Sequence, residues 1–326
     1  STTGNASIST ATDNGDGTYS TSITNTLAEI VTVSATLNGG PVANNTNINF
    51  VPSSTASPIQ TTIAISGSSL VADGSVTATI TIQTKDPLGN NLLSGGLSIN
   101  LTENGSATIS SISDNGDGTY TATITNTVAE AITISGTLNG TGITDTAEVT
   151  FIPGAAATAS TLLSINSATV TANGSNSATV TVQTKDAQGN NLSIGGDIIV
   201  LSENGSATLS SVTDHGDGSY SAIITNTVAE AITLSGTLNG AGISSTAAMN
   251  FVSDTSNATQ STLSASITSV IANGVASSLL TLQVNDAQGN NLSSGGETVL
   301  FSTTGNASIS TATDNGDGTY STSITN

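Results

Sequence analysis

Apolar and polar residues alternate along much of this sequence. The alternation is clearest at residues 76–84, 120–124 and 147–151, where Val, Ile, Ala, Tyr and Phe are separated by Thr, Glu and Gln. A period of two places successive side chains on opposite faces of a strand, so each segment predicts a β-strand with one buried face. Short clusters of Gly, Asn and Asp interrupt the pattern and predict the turns between strands.

Each stretch of about 100 residues contains about seven such segments. In the stretch after residue 58 we predict strands at roughly 61–71, 76–84, 97–102, 107–112, 118–125, 131–138 and 145–152. Seven short strands separated by turn signals in a domain of this size favour an immunoglobulin-like sandwich of two antiparallel sheets. The sequence therefore predicts an all-β fold.

The same sequence blocks recur with a period close to 100 residues. DNGDGTY begins at Asp13, and its equivalents begin at Asp114, Asp214 and Asp314, at steps of 101, 100 and 100. A period of this length corresponds to an autonomous domain and is too long for one turn of a solenoid. Pro- and Ser-rich joins divide the chain into the end of one domain (1–58), two complete domains (59–158 and 159–258) and the start of another (259–326).

Residues 1–25 and 302–326 are identical. Each copy falls in the middle of a predicted domain, which leaves a part-domain at either end of this chain. Part-domains expose an apolar face and unpaired strand edges. We therefore expect either that the chain is a window of a longer array or that neighbouring chains complete the two part-domains.

The composition is strongly acidic. The chain has 22 Asp and Glu residues against two Lys, and its net charge is −20. This charge repels nucleic acids and anionic membranes and attracts divalent cations. No apolar run approaches 18 residues, so the sequence predicts neither a nucleic-acid partner nor membrane insertion of this segment.

No arrangement of residues indicates an enzyme. The single His, His215, stands in a turn and is replaced in the equivalent turns, and the chain has no Cys. The acidic side chains fall in turn segments, where exposure to solvent does not tune carboxylates for acid–base catalysis.

Acidic residues are concentrated in the predicted loops. An odd number of strands places the two ends of a domain at opposite poles, so successive domains are expected to stack end to end as a rod. Stacking would bring one set of carboxylates near another across a junction, namely Asp73, Glu103 and Glu130 near Asp186, Asp214 and Asp217. Oxygen ligands of this kind suit Ca²⁺, and we therefore predict calcium sites at the junctions.

The DNGDG segments have a second interpretation. They lack the ligand spacing of a helix-loop-helix calcium site. Asn-Gly and Asp-Gly pairs favour hairpin turns because these residues tolerate a positive φ. The sequence leaves open whether these segments bind ions or only turn the chain.

Two other residue types leave alternatives open. The Tyr of each DNGDG block is either a strand residue with no special bond or a tyrosine whose hydroxyl bonds to nearby backbone, as in the tyrosine corner of immunoglobulin-like domains. Lys85 and Lys185 are either solvated at a strand end or cross-linked to an Asn through an isopeptide bond. Asn285 replaces them in the third unit, so a cross-link required in every unit is not expected.

Three blocks in each unit resemble the bacterial immunoglobulin-like domains of the invasin and intimin type. They are VADGSVTATITI from Val71, TKDAQGNNLSIGG from Thr184 and TDNGDGTYSTSIT from Thr12. The resemblance implies an extracellular location on a bacterial cell surface. It also implies a structural stalk that carries a binding region, outside this segment, towards a host or environmental surface.

Two other functions remain open at this stage. One is a subunit of a self-assembling extracellular filament, in which neighbouring identical chains complete the part-domains. The other is a module that binds glycans or surfaces through the sides of its domains, although aromatic residues, which stack on sugars, make up only 2% of the chain.

Overall fold

The computed structural model describes residues 1–326 and consists of β-strands joined by turns and loops. It contains no helix with the length and hydrophobicity of a membrane span. Contacts within the chain define two compact units, Ser1–Gly154 and Ala155–Asn326.

The first unit contains eighteen strands. The first eight are β1 (Ser7–Ile8), β2 (Thr12–Asp13), β3 (Tyr19–Ser20), β4 (Ile23–Thr24), β5 (Ile30–Val33), β6 (Thr36–Leu37), β7 (Gly40–Pro41) and β8 (Thr46–Asn49). The next ten are β9 (Thr62–Ile65), β10 (Ser69–Val71), β11 (Ala78–Gln83), β12 (Ile99–Glu103), β13 (Thr108–Ile109), β14 (Ser113–Asp114), β15 (Thr119–Thr125), β16 (Ala131–Leu138), β17 (Thr141–Gly142) and β18 (Ala147–Ile152).

The second unit contains fifteen strands. Ten of them are β19 (Leu162–Ile165), β20 (Thr169–Thr171), β21 (Ala178–Gln183), β22 (Ile199–Glu203), β23 (Thr208–Leu209), β24 (Thr213–Asp214), β25 (Ser219–Thr225), β26 (Ala231–Leu238), β27 (Ala241–Gly242) and β28 (Ala247–Val252). The last five are β29 (Thr262–Ala265), β30 (Ser277–Gln283), β31 (Ser308–Ile309), β32 (Thr313–Asp314) and β33 (Thr319–Thr325).

Strands β9 to β18 form two sheets. One sheet has the order β9-β11-β15-β13, with β14 also paired to β15, and the other has the order β10-β18-β16-β12, with β17 paired to β16. Strands β10 and β18 are parallel, and the other pairs are antiparallel. Strands β19 to β28 repeat this topology. The arrangement is that of an immunoglobulin-like sandwich, which confirms the predicted all-β fold.

The predicted single strand over residues 61–71 is wrong, because the structure contains two strands there. The chain leaves β9 at Ile65 and passes through Gly67, whose φ is +121°. It then enters the other sheet as β10, where Leu70 pairs with Phe151. The second unit makes the same change of sheets between β19 and β20 with Ser167 at the equivalent place, so the change does not depend on a glycine.

The alternating residues of both sheets face each other in one core. Ile80, Ile82 and Tyr120 come from the first sheet, and Ile134 and Phe151 come from the second. Each of these side chains is almost fully buried, and burial of a side chain of this size contributes roughly 1.5–3 kcal/mol. The second unit has an equivalent core.

The strands at either end of the chain belong to less complete sheets. Strands β1 to β8 form only two-stranded sheets, and β29 to β33 form a single sheet of the order β29-β30-β33-β31, with β32 on β33. Apolar side chains are exposed in both regions, including Tyr19 (65%) and Leu300 (91%). The domain boundaries proposed at residues 58, 158 and 258 stay a prediction.

Candidate functional site at the domain junctions

The loop of residues 86–91, here called the first entry loop, is organised around Asp86. The Asp86 Oδ1 atom accepts hydrogen bonds from the backbone N–H groups of Leu88 and Asn90, both at 2.9 Å. Its Oδ2 atom accepts one from the N–H of Ser53, in the preceding linker, at 3.0 Å. Asp86 therefore closes its own loop and attaches the linker to it.

The environment of Asp86 stabilises its ionised form. The residue is only 1% exposed, and burial by itself would raise the pKa of the carboxyl group. Hydrogen bonds from Ser53, Asn90 and Leu88 outweigh this effect and lower the pKa from 3.8 to about 2. Charge-assisted hydrogen bonds of this kind are about twice as strong as neutral ones.

Asn90 crosses from the entry loop to residues 25–29, here called the first exit loop. Its Oδ1 atom accepts a hydrogen bond from the N–H of Ala28 at 2.8 Å. Its Nδ2 atom donates to the carbonyl oxygen of Thr26 at 3.0 Å. This pair of bonds joins an N-T-L-A-E loop to a D-x-x-G-N-N loop.

The first exit loop is held by its own polar side chains. The Asn25 Oδ1 atom accepts from the N–H of Leu27 at 3.0 Å, and its Nδ2 atom donates to Glu29 at 2.8 Å. Glu29 also accepts from the N–H of Asn5 at 2.7 Å. The bonds from Asn5 and then Asn25 lower the pKa of Glu29, so this carboxylate is a structural acceptor of its own domain.

The second unit builds the same junction. The Asn290 Oδ1 atom accepts from the N–H of Ala229 at 2.8 Å, and its Nδ2 atom donates to the carbonyl oxygen of Thr227 at 2.9 Å. Asp286, which is fully buried, accepts from the N–H of Asp254 in the linker at 2.9 Å. We call residues 286–291 the second entry loop and residues 226–230 the second exit loop.

The first three residues predicted to bind Ca²⁺ accept hydrogen bonds from donors within the first unit. Asp73 accepts from the N–H of Val76 and of Ser75, which lowers its pKa. Glu103 accepts from the N–H of Gly105. Glu130 accepts from the side chain of Asn126 and from the N–H of Ser106, and both bonds lower its pKa.

The other three predicted ligands accept bonds within the second unit. Asp186 accepts from the N–H of Gln188 and of Asn190. Asp214 accepts from the N–H groups of Gly196 and Gly216. Asp217 accepts from the hydroxyl and the N–H of Ser219, and these two bonds lower the pKa of Asp217. The structure has no group of three or more His, Cys, Asp or Glu side chains that could hold a metal ion. Calcium at the junctions stays a prediction.

The tyrosine hydroxyl has a defined bond in the DNGDG blocks that begin at Asp114, Asp214 and Asp314. The Tyr120 hydroxyl accepts a hydrogen bond from the N–H of Leu97 at 2.9 Å, and Tyr220 and Tyr320 make the equivalent bonds. Burial raises the pKa of Tyr220. Of the two interpretations, the structure therefore supports a hydroxyl bonded to the backbone.

The lysine position contributes to the entry loop. The Lys185 ammonium is exposed and lies 3.4 Å from the carbonyl oxygen of Gly189, to which it donates. Asn285, at the equivalent place in the next unit, donates to the carbonyl oxygen of Gly289 at 2.9 Å. The bond made by Lys185 agrees with a solvated lysine at a strand end.

Sequence reasoning missed Asn90 and Asn290. An Asn in a Gly-Asn-Asn loop also fits a simple turn. Only the carboxylates were considered as candidate ligands, and the amide was not considered. One sequence feature indicated a role for this Asn, namely its recurrence at the same place in every D-x-x-G-N-N block. Its hydrogen-bond partners lie in another domain and cannot be identified from the sequence.

The family model of invasin domain 3 matches residues 57–154, 156–254 and 257–326 of this chain. The structure is similar to FdeC, an Escherichia coli adhesin, with 27% identity over 85% of this chain and 90% of that chain, at a TM-score of 0.51. It is also similar to invasin, a bacterial integrin-binding protein (24% identity, 81% of this chain, 54% of that chain, TM-score 0.47). InvD of Yersinia pseudotuberculosis is a third neighbour (23%, 72% of each chain, TM-score 0.48). No curated protein matches the sequence.

Proposed function

This chain belongs to the invasin domain 3 family, and we propose that it is a structural stalk segment of a bacterial surface adhesin. The observation that carries the proposal is the contact between successive domains within each unit. In the first unit, the Asn90 amide bonds to two backbone groups of the exit loop, and the buried Asp86 carboxylate bonds to the linker. Asn290 and Asp286 make the same bonds in the second unit. Such a joint resists bending, which is what a stalk requires.

The similarity to FdeC supports an extracellular location. FdeC is an adhesin, and this chain matches 90% of its structure at 27% identity. In our proposal the stalk carries a binding region outside this segment towards a host or environmental surface. The net charge of −20 suits this role, because like charges keep neighbouring stalks apart and soluble.

The proposal predicts an extended chain in solution. Domains of about 40 Å, from strands that rise roughly 3.3 Å per residue, would give a radius of gyration of about 35 Å when stacked end to end. A compact chain of this length would have a radius of gyration of about 20 Å. Small-angle X-ray scattering separates the two, and a value near 20 Å would overturn the stalk.

A second experiment tests the function itself. Deleting residues 159–258 from the surface protein that contains this segment should shorten the reach of its binding region by one domain. Adhesion of whole cells should fall, whereas the detached binding region should bind its target as before. Unchanged adhesion by the shortened protein would argue against a role in reach.

A self-assembling filament is the second candidate, because apolar faces are open at two places. Leu300 is 91% exposed, Ile271 is 74% exposed and Ile30 is 66% exposed. In this candidate, strands of a neighbouring identical chain cover these faces. Concentration-dependent polymers in electron micrographs would favour the filament, whereas capture of surface glycans by monomers would favour a side-on binding module.

A further inference from the structure

The contact made by Asn90 requires a carboxamide group. One side chain must present an acceptor to the N–H of Ala28 and a donor to the carbonyl oxygen of Thr26, and the two distances are 2.8 and 3.0 Å. A carboxylate offers only acceptors at this spacing, and a single hydroxyl is too short to span both groups. Asn290 makes the same two-point contact with Ala229 and Thr227.

The entry loop fixes this amide before it reaches its partner. The Asn90 Nδ2 atom also donates to Asp86 Oδ2 at 3.1 Å, and Asn290 donates to Asp286 Oδ2 at 2.9 Å. Because an aspartate is an acceptor only, this bond sets which end of the amide is the donor. It therefore orients the side chain for the exit loop.

The exit loops share one conformation. In residues 126–130 the Asn126 Nδ2 atom donates to Glu130 at 2.9 Å, and its Oδ1 atom accepts from Val128 at 3.0 Å. Residues 226–230 contain the same two bonds, at 2.8 and 3.0 Å. These match the bonds of Asn25 and Glu29, so each loop displays the same backbone groups.

The recognised atoms belong to the backbone. The middle residue of the exit loop is Leu27 in the first unit and Val228 in the second, yet the two junction bonds are the same. A contact with a backbone N–H and a backbone carbonyl depends on loop conformation and little on the side chain at this position.

We propose that the N-T-x-A-E exit loop is a docking site for the side-chain amide of the D-x-x-G-N-N entry loop. The partner is any domain that presents this amide, so domains of this type are interchangeable along the chain. The inference rests on the proposed stalk function and gives its joints a recognition rule. In this scheme Asn25, Glu29 and Asp86 are positioning residues for the contact.

The first test uses the full 326-residue chain and two matched substitutions. Asn90→Asp keeps the shape of the side chain, removes its donor and places a charge beside Asp86. Asn91→Asp makes the same chemical change at the adjacent, exposed residue. Hydrogen exchange at the Ala28 amide, followed by NMR, should accelerate at least tenfold in Asn90→Asp and less than twofold in Asn91→Asp. Should Asn90→Asp fail to fold, Asn90→Ala, which adds no charge, carries the same expectation.

Spin labels measure the joint directly. The chain contains no cysteine, so labels can be attached through Asn45→Cys and Ser111→Cys, at two exposed positions on either side of the first junction. The distribution of distances between the labels should become at least twofold broader with Asn90→Asp and should not change with Asn91→Asp. Equal widths and equal Ala28 exchange in the two variants would overturn the docking site.

Interchangeability has its own test. Deleting residues 59–158 places the first exit loop before the entry loop of residues 186–191, with which it has no native junction. Protection of the Ala28 amide should stay within twofold of the intact chain, and loss of protection would overturn the rule. An extended scattering profile together with unprotected Ala28 would leave the stalk standing and refute only the amide docking.

Discussion

Gly118 and Gly116 lie in the same DNGDG turn, and replacing them with Ala should have very different effects. Both have a positive φ, +86° at Gly118 and +80° at Gly116. A Cβ atom at residue 118 would lie 2.0 Å from the carbonyl oxygen of Leu92, whereas a Cβ atom at residue 116 would meet nothing within 4 Å. The pair therefore separates backbone conformation from close packing.

The expected losses of stability follow from the backbone conformation and from the contact with Leu92. An Ala in the left-handed region costs roughly 1–2 kcal/mol, and this applies to both substitutions. Relief of the contact with Leu92 requires a backbone shift, which costs typically 1–3 kcal/mol in a packed region. We expect Gly116→Ala to lower the free energy of unfolding by about 1–2 kcal/mol and Gly118→Ala to lower it by roughly 2–5 kcal/mol.

Hydrogen exchange with mass spectrometry is the appropriate assay, because it follows each segment of the chain separately. Peptides from β11 and β15 report on the mutated domain. Peptides from β21 and β25, in the other unit, provide an internal control that should not change. Equal losses of protection for the two variants would refute the role assigned to the Leu92 contact.

Four further predictions concern single interactions. The folded pKa of Asp86, about 2, lies below the ordinary 3.8, so its stabilisation is complete above about pH 4 and is lost as the pH falls through about 2. The shift corresponds to roughly 2 kcal/mol, which thermal unfolding as a function of pH should show and Asp86→Asn should abolish. Tyr120→Phe should cost about 1–2 kcal/mol in urea unfolding because it leaves the Leu97 N–H without its acceptor, whereas Tyr19→Phe, at a ring 65% exposed, should be nearly neutral. Asn285→Lys should raise the free energy of unfolding by about 1 kcal/mol, since it removes a buried amide oxygen without a hydrogen-bond partner. If Ca²⁺ binds at the junctions, chelation should lower the calorimetric midpoint, and an unchanged midpoint would contradict the calcium prediction.

The strands were predictable because each follows a local pattern. Residues 131–138 were expected as a strand and form β16 with these bounds, since alternation decides both the strand and its buried face. The change of sheet at Gly67 was not predictable, because the apolar pattern continues on both sides of it. The pairing partner of Leu70, Phe151, lies too far along the chain for any local signal.

The candidate site was only partly predictable. Successive domains were expected to stack end to end, and the contact of Asn90 with Ala28 agrees with that expectation, although the number of strands in a domain differs from the predicted seven. The roles of side chains within the junction loops depend on donors that the sequence does not reveal. Glu130, for instance, accepts bonds from Asn126 and Ser106, which place it within its own exit loop.

Residues 1–25 and 302–326 have the same sequence, so structural differences between them arise from the rest of the chain. The DNGDG turn closes in the same way in both copies. The N–H of Asn14 donates to the carbonyl oxygen of Thr18 at 3.1 Å, and the N–H of Asn315 donates to that of Thr319 at 3.0 Å. The strand that follows differs between the copies.

Residues 319–325 form one strand of seven residues, whereas residues 18–24 form only β3 and β4, of two residues each. The difference lies in the pairing: β33 pairs with β30 along its whole length, whereas β3 pairs only with β2 and β4 only with β1. The turn is therefore encoded locally, but the strand is completed by its neighbour, as expected where β-propensity mainly reflects cross-strand packing.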